Sequence, residues 1–293
     1  MANARIIVKR RKSVRNIRKI TRTMQLIATA RFQAALNRAM STKPYVQKLA
    51  ELVADLTEAA DDAGHPLMMT HHEVQRSALV VITSTRGFCG GYNGNVLRAA
   101  MAHLDEEAKS GLSIDTYMTG KKGIRYFKFL RRPIHEQITH ITDKPRFADV
   151  EPIAVKLMDR FIAQEVASVH VAYMRFVSLG KQVATVAQLL PLSREKSTAE
   201  EKETPAISMQ YEFSPEPKEL LADLLPATVR MRLFQCFTEA AASEQIARMA
   251  AMKAATEAAG DMIKTLTRQY NRARQTQITM ELLDIVGGAN ALQ

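Results

Sequence analysis

Glycine is missing from the first 63 residues of the chain, and proline occurs there only once, at Pro44. Residues 227–286 contain no proline and a single glycine, Gly260. Because glycine and proline most often end helices, their absence excludes a succession of short elements at either end of the chain. Apolar residues three and four apart in both stretches favour long amphipathic helices or a coiled coil. Sixty helical residues would span roughly 90 Å, more than a globular domain of this size needs.

Acidic residues are absent from residues 1–50, which carry 13 Lys and Arg residues, whereas the rest of the chain is close to neutral. The net charge of +11 is therefore a local property of the first helix. It fits an organelle transit peptide, an arm that binds nucleic acid, or a helix that faces acidic protein loops. A transit peptide is disfavoured, because such peptides are usually rich in Ser and lack the regular spacing of Ile17, Ile20, Met24 and Ile27.

Tryptophan is absent, cysteine occurs twice, and no apolar run approaches the 18 or so residues that span a bilayer. The strongest apolar run covers only residues 78–82. Cys89 and Cys236 have no metal-ligand spacing and make no disulfide framework, which favours a reducing compartment. A length of 293 residues allows one large domain or two small ones.

Short strands alternate with helices in the middle of the chain, which predicts a mainly parallel, Rossmann-like α/β sheet. We predict strands over residues 77–83, 114–119, 133–138, 168–177, 182–190 and 209–213, and helices over 92–109, 121–130 and 150–164. A charged loop covers 193–205. The terminal helices are expected over residues 2–62, with a possible kink at Pro44, and from 215 or 217 to Val286, where Gly287-Gly288 would end the helix. The predicted domains are residues 1–63, 76–213 and 217–293.

The last helix carries an apolar stripe at spacings of three and four residues: Ile246, Met249, Met252, Ala255, Ala259, Met262, Leu266, Tyr270 and Ala273. In the first helix, Ile17, Ile20, Met24 and Ile27 offer a matching stripe. A helix that is apolar on one side needs a partner. Because the middle domain joins the two helices, they can return to each other as a long antiparallel coiled coil.

A glycine turn, STRGFCGG at residues 84–91, separates the first predicted strand from the next helix. It resembles a nucleophile elbow with Cys89 in the nucleophile's place, but no paired His and Asp accompany it. A small residue packed in a tight turn is therefore the favoured interpretation. The glycines of this turn do not fit the dinucleotide pattern G-x-G-x-x-G, and neither Gly120-Lys121 nor Gly180-Lys181 belongs to a Walker A loop.

Metal ligands are equally sparse. His71-His72-Glu73 could hold a metal, but adjacent histidines in a polar loop are more often solvated. The sequence thus predicts a protein that is not an enzyme, with no catalytic residue, no cofactor site and no metal site of its own.

Four separate segments resemble one family, the gamma subunits of F-type ATP synthases of the bacterial type. Residues 19–28, KITRTMQLIA, are similar to the family's K-I-T-x-A-M-x-M-V-A stretch, and residues 86–93, RGFCGGYN, to its R-G-L-C-G-G-F-N turn. Residues 243–260 and 270–289 resemble its C-terminal signature. The matches come from both ends and the middle of the chain, in the family's order and spacing.

The resemblance implies a rotor: the central stalk, whose coiled coil turns inside a ring of three alpha and three beta subunits and couples ion flow to ATP synthesis. It implies that the α/β domain rests on the membrane c-ring beside the epsilon subunit, at the cytoplasmic face of the bacterial inner membrane. By residue, it implies contacts with beta subunits through Arg274, Gln275 and Thr279 and, in the neck region, through Lys19, Arg22 and Met24. It also implies a foot near the c-ring and epsilon at Tyr211 and Glu212. The alternative from another class is a basic coiled coil that binds nucleic acid, and a Cys89 enzyme is the third hypothesis.

Overall fold

The computed structural model describes residues 2–59, 65–71, 73–192 and 216–291 of the chain. Its helices are α1 (Ala2–Ala59), α2 (Tyr92–Lys109), α3 (Lys121–Phe129), α4 (Phe147–Ile162) and α5 (Pro217–Ala291). Its strands are β1 (Arg76–Ile82), β2 (Ser113–Thr119), β3 (Glu136–Ile138), β4 (Ser168–Ser178) and β5 (Lys181–Leu190), and a short 3₁₀ turn covers Pro66–Met68. The chain divides into two compact units, residues 1–30 with 248–293, and residues 31–247. Each of the two long helices contributes to both units.

The sheet of the larger unit has the strand order β3-β2-β1-β4-β5. β3, β2, β1 and β4 are parallel to their neighbours, and only β5 runs antiparallel, paired with β4 through the turn at Leu179-Gly180. The parallel strands therefore begin at one edge of the sheet, the strand-start edge, and finish at the opposite strand-end edge. This is the predicted mainly parallel, Rossmann-like arrangement.

Both faces of this sheet are covered, which explains why β1 is an almost unbroken apolar run with six of its seven residues buried. On one face, Val80 and Val171 pack with Leu56 of α1, Leu157 of α4 and Leu225 of α5. On the other face, residues of β1, β2 and β4 pack with Val96 of α2 and Phe127 of α3, among others. Two cores thus hold the sheet between α1, α4 and α5 on one side and α2 and α3 on the other.

Three helices of this unit end in the same way. At the ends of α2, α3 and α4 a residue with positive φ, respectively Gly111, Arg131 and Gln164, donates its N–H to a carbonyl three residues back. The residue after each donates to a carbonyl five residues back, which completes a Schellman motif. Glycine is the usual residue at this left-handed position, but only α2 has it.

The smaller unit is an antiparallel coiled coil of α1 and α5. Thr256 Oγ1 donates to Thr21 Oγ1 at 2.8 Å, and the Arg11 guanidinium lies 5.1 Å from the centre of the Tyr270 ring. Val14 lies in one buried cluster with Leu266. As residue numbers rise in α1 they fall in α5, so the predicted antiparallel pairing is confirmed.

The predicted stripe of α1 is wrong, however. Ile17, Ile20 and Ile27 are about half exposed and face away from α5. Val14, Thr21 and Ala28 are buried instead, at intervals of seven residues. The stripe predicted for α5 is largely right, except that Met262 is exposed while its neighbour Ile263 packs against the buried cluster of the coiled coil.

The helix boundaries differ from prediction at one important place. α5 continues through Gly287-Gly288 to Ala291 instead of stopping at Val286. Two glycines raise the cost of a helix by about 1 kcal/mol each but do not prevent it. α1 likewise continues through Pro44. The predicted loop 193–205 and strand 209–213, with Tyr211 and Glu212, lie outside the described residues.

Candidate functional site

The strand-end edge is where doubly wound sheets usually bind nucleotides, and here that crevice is filled. Thr83 follows β1, and its hydroxyl bonds to the carbonyl of Thr119 at the end of β2 and accepts the N–H of Gly123 at 3.0 Å. Gly120 has φ of 81°, and a Cβ added there would lie 2.1 Å from the Thr83 carbonyl oxygen. The remaining cavity is about 30 Å³, room for little more than a water molecule.

The glycine turn beside this crevice places Cys89 in the protein interior. Its sulfur lies 3.2 Å from the Asn93 side-chain nitrogen and 3.6 Å from Ser84 Oγ. The positive φ values of the turn fall on Phe88, which is exposed, and on Gly90, but not on the cysteine between them. A nucleophile elbow presents its nucleophile to solvent, so this geometry favours the packing role for Cys89.

The second cysteine is also unsuited to chemistry. Cys236 is buried on α5, and burial raises the pKa of its thiol to about 12. The thiol therefore stays protonated at neutral pH, whereas the thiolate is the reactive form.

His71 packs its ring against Phe161, with the ring centres 4.8 Å apart, and His72 lies outside the described residues. Among the described residues there is no group of three or more His, Cys, Asp or Glu side chains placed to hold a metal ion.

The outward surface of the coiled coil is the most unusual feature of the molecule. Large apolar side chains are exposed there along both helices. They are Ile6, Ile17, Ile20, Leu26 and Ile27 on α1, and Met262, Ile278, Met280, Leu282, Leu283, Ile285 and Val286 on α5. Exposed apolar surface of this extent indicates a surface that contacts protein partners.

Two of the predicted neck residues, Lys19 and Arg22, are exposed on this surface, while Met24 is half-buried. They lie beside the Thr21–Thr256 contact, which fixes their level along the coiled coil. No ion pair links Lys19 or Arg22 to another described residue, so both charges are available to a partner.

The other predicted cluster, Arg274, Gln275 and Thr279, is exposed on α5. It follows Tyr270, which lies opposite Arg11, so it lies level with the first turns of α1. Arg274 is 18 residues and Thr279 is 23 residues beyond Thr256 along α5, so the two clusters are on the order of 30 Å apart along the helices. The structure therefore brings the predicted residues together as two separate groups.

Sequence reasoning missed the basic residues that lie at the helix–helix contact. Arg11 stacks on Tyr270, and Arg18 lies against Gly260, where an added Cβ would be 3.7 Å from the Arg18 Nε. Ile7, Arg11, Val14, Arg18, Thr21, Gln25 and Ala28 alternate at spacings of four and three, a heptad pattern in which Arg, Thr and Gln hold apolar positions. Counting polar residues as possible contact positions would have revealed it.

Comparison with known proteins agrees with this architecture. The family model described as ATP synthase matches residues 3–292. The ATP synthase gamma chain of Rhodopirellula baltica is 41% identical over all of both chains, and that of Leptospira biflexa is 38% identical, again over all of both. The gamma chain of Brevibacillus brevis is 36% identical over 96% of this chain and 95% of its own.

Solved structures with the same fold include a chain of the Euglena gracilis mitochondrial ATP synthase (OSCP/F1/c-ring, rotational state 3). The similarity has a TM-score of 0.66 at 16% identity and covers 99% of this chain and 95% of that one. A chain of the Tetrahymena thermophila central stalk and c-ring structure gives 0.57 at 19% identity, over 80% of this chain and 99% of that one. A two-helix coiled coil and a Rossmann-like sheet in one chain together define the class of protein. The chain belongs to the ATP synthase gamma chain family.

Among the described residues, no helix is both long enough and apolar enough to cross a membrane.

Proposed function

We propose that the chain is the central rotor subunit of an F-type ATP synthase, which couples ion flow through a membrane c-ring to ATP synthesis on beta subunits. In this role it performs no chemistry of its own. It transmits torque from its α/β domain, through the coiled coil, to a surrounding ring of three alpha and three beta subunits.

The observation that carries this proposal is the outward surface of the coiled coil. A buried two-helix contact gives a stiff element, while the apolar residues that remain outside need a surrounding partner. The acid-free N-terminal half of α1 adds a positive surface that suits acidic loops. Attraction between exposed charges is weak and screened by salt, so such a surface can turn past several loops without binding one permanently.

The family match and the exposure of individual side chains support an assignment of contacts with beta subunits. We assign Lys19, Arg22 and Met24 to the neck contact with beta subunits, and Arg274, Gln275 and Thr279 to a second beta contact further along the coiled coil. The Thr279 hydroxyl is bonded to the Gln275 carbonyl of its own helix at 3.0 Å, which leaves the charged and amide groups as the better donors to a partner.

The other end of the assembly is assigned to the segment between β5 and α5. Tyr211 and Glu212 would form the foot on the c-ring, beside the epsilon subunit. The residues 1–63, 76–213 and 217–293 then act as three functional parts. The complex would hold this chain at the cytoplasmic face of the bacterial inner membrane, as a peripheral subunit.

Co-expression tests this function directly. The chain is produced with the alpha and beta subunits of its own source, and we expect a complex that co-purifies and hydrolyses ATP, whereas the isolated chain hydrolyses none. As a matched variant, replacing Ile17 and Ile20 with Asp leaves the helix–helix contact intact but adds charge to the outer apolar surface, so assembly should weaken. Failure of the wild-type chain to co-purify would contradict the proposal.

The nucleic-acid hypothesis has no support from the family match, and no observation in the structure favours it. Because its residues 1–25 are basic, the isolated chain can bind DNA weakly and in a salt-dependent way, so weak binding alone would not revive it.

A further inference from the structure

We propose that the end of α3 is a membrane contact that binds the headgroups of anionic lipids. The contact, here named the α3 tip patch, consists of Lys128, Phe129, Leu130 and Arg131. It rests on the proposed function for its orientation toward the membrane, and on the features below for its chemistry.

The first feature is the charge of α3 and its end. Residues 121–132, KKGIRYFKFLRR, contain six basic residues and no acidic one. Lys121, Arg125 and Lys128 recur at spacings of four and three, which places them in one stripe on the exposed side of the helix. Among the described residues none of these three, nor Arg131, forms an ion pair, whereas the neighbouring Arg132 is paired with Asp105 at 2.9 Å.

The second feature is exposed apolar surface beside the charge. Phe129 is 81% exposed, and Tyr126 and Leu130 are about 40% exposed. An apolar depression of about 230 Å³, lined by Leu104, Leu112, Phe127 and Pro133 among others, opens next to them. Basic residues around protruding aromatic and aliphatic side chains are the usual composition of a surface that binds at the lipid headgroup level.

The helix dipole explains only part of this positive charge. Cations at the end of a helix are stabilised by its dipole, which could account for Lys128 and Arg131. Lys121 and Lys122, however, lie in the first turn of α3, where cations are unfavourable and where no acidic residue compensates them. The positive surface of α3 therefore suits a negatively charged partner outside the helix.

Arg131 provides the third feature, because its backbone is in the left-handed region with φ of 53°. This is the position of the Schellman motif where glycine is usual and where a residue with a Cβ is strained. Strain at an observed outlier points toward function. Here an exposed arginine occupies the position that glycine usually takes.

The strand-start edge carries the α3 tip patch. Arg132 and Pro133, which follow the patch, line the depression together with Ser113, the first residue of β2. At the same edge β5 finishes, since Leu190 is opposite Val169 of β4, and Leu192 then donates to the Leu67 carbonyl at 2.9 Å. The chain thus leaves the sheet at this edge on its way to the proposed foot.

The start of α5 lies toward the same edge. Phe237 lines the cavity at the strand-end edge, and Leu221, sixteen residues and about 24 Å earlier along the helix, is buried in the core on the same face of the sheet. The start of α5 at Pro217 is only a few residues after Glu212, so the foot can lie no more than about 20 Å from it. If the foot stands on the c-ring, the strand-start edge with the α3 tip patch is turned toward the membrane.

Vesicle binding tests the patch. The full chain, in complex with alpha and beta subunits where they assemble, is sedimented with vesicles of phosphatidylcholine alone or mixed with phosphatidylglycerol. We expect binding only to the anionic vesicles. Removing one charge with Lys128→Gln should weaken it about fivefold, and removing two with Lys128→Gln and Arg131→Gly by about 25-fold.

Two control variants distinguish an effect of lost charge on vesicle binding from an effect of altered stability. Gln164→Gly makes the same backbone change at the end of α4 without loss of charge, and it should raise the urea midpoint and leave vesicle binding unchanged. Lys181→Gln removes an exposed charge at the β4–β5 turn, remote from the strand-start edge, and should also leave binding unchanged. Arg131→Gly should keep or raise the urea midpoint while it weakens binding, a combination that a purely structural role does not produce.

A change of less than twofold in the double variant, or an equal loss in Lys181→Gln, would overturn the membrane contact. So would loss of DNA or acidic-peptide binding in the double variant with vesicle binding intact, because the patch would then serve a different partner. These outcomes are separable from the rotor function: the complex would still assemble and hydrolyse ATP. Conversely, a chain that fails to co-purify can still be compared with its variants on vesicles.

Discussion

Gln245 is the residue at which burial and hydrogen bonding disagree most. Its side chain is 1% exposed, yet neither its amide nitrogen nor its amide oxygen has a partner among the described residues. An unsatisfied buried polar group is costly, whereas an apolar group of the same shape is not. We expect Gln245→Met to raise the free energy of unfolding by about 1–2 kcal/mol in urea denaturation.

Gln235 supplies the control for this substitution. It lies on the same helix but donates to Glu239 Oε1 at 2.8 Å. Gln235→Met removes a bond that is made, so it should be neutral or destabilising. Stabilisation of both variants to the same extent would show that methionine simply favours the helix, and not that Gln245 is unsatisfied.

His170 makes stability depend on pH. Burial, and secondly the ring of His103 with its centre 4.5 Å away, lower the pKa of His170 to about 4. The folded state therefore binds fewer protons than the unfolded state, whose histidine keeps its ordinary pKa near 6.5. The contribution of His170 to stability is complete above pH 6.5 and is lost as the pH falls toward 4.

The matched measurement compares the wild-type chain with His170→Gln. Between pH 7.5 and 4.5, the wild-type free energy of unfolding should fall by about 2–3 kcal/mol more than that of the variant, which has no imidazole at position 170. Equal slopes for the two proteins across that range would rule out His170 as a source of the pH dependence.

At the scale of elements, the coiled coil has room for a side chain at its glycine, whereas the glycine between β2 and α3 has none. A Cβ at Gly260 would meet only the Arg18 guanidinium, at 3.7 Å or more, so Gly260→Ala fits in the helix. Since glycine in a helix interior costs about 0.5–1 kcal/mol relative to alanine, we expect a gain of that size in thermal or urea unfolding. A loss of stability would mean that the two helices approach more closely than the structure indicates.

Gly120→Ala is the opposite case. Its φ of 81° is in the left-handed region, and the added Cβ would lie 2.1 Å from the Thr83 carbonyl oxygen. The start of α3 would have to separate from the end of β1, so we expect severe destabilisation or failure to fold. A normal urea midpoint for this variant would contradict the close contact between β1 and α3.

At the scale of the whole molecule, we expect the positive charge on the outer surface of α1 to matter for coupling in the assembled enzyme. Replacing Lys19 and Arg22 with Glu reverses two charges of the acid-free helix without touching its contact with α5. In the assembled enzyme we expect fewer protons or other ions moved per ATP hydrolysed. Lys253→Glu, at an exposed position on α5 outside the predicted contacts, serves as control. Unchanged ion transport per ATP in the double variant would remove any important role for those charges.

Much of this architecture could be predicted from the sequence, because breaker-free stretches and apolar runs are local signals. The helix Tyr92–Lys109 and the strands around residues 77–82 and 114–119 follow directly from such patterns. The family, too, could be identified from short sequence motifs. Where a local rule was too strict, as for Gly287-Gly288, the helix continues because a weak breaker is outweighed by the residues around it.

Local patterns are sufficient to define the elements, their order and the excess of positive charge on the first helix. Which face of that helix is buried depends on tertiary packing. α1 is apolar at Ile17, Ile20 and Ile27 and also at Val14 and Ala28, and a single helix gives no reason to prefer either set. Packing against α5 selects the buried set, because small side chains such as Ala28 and Thr21 let α5 approach closely. The isoleucines remain exposed, where another protein can contact them.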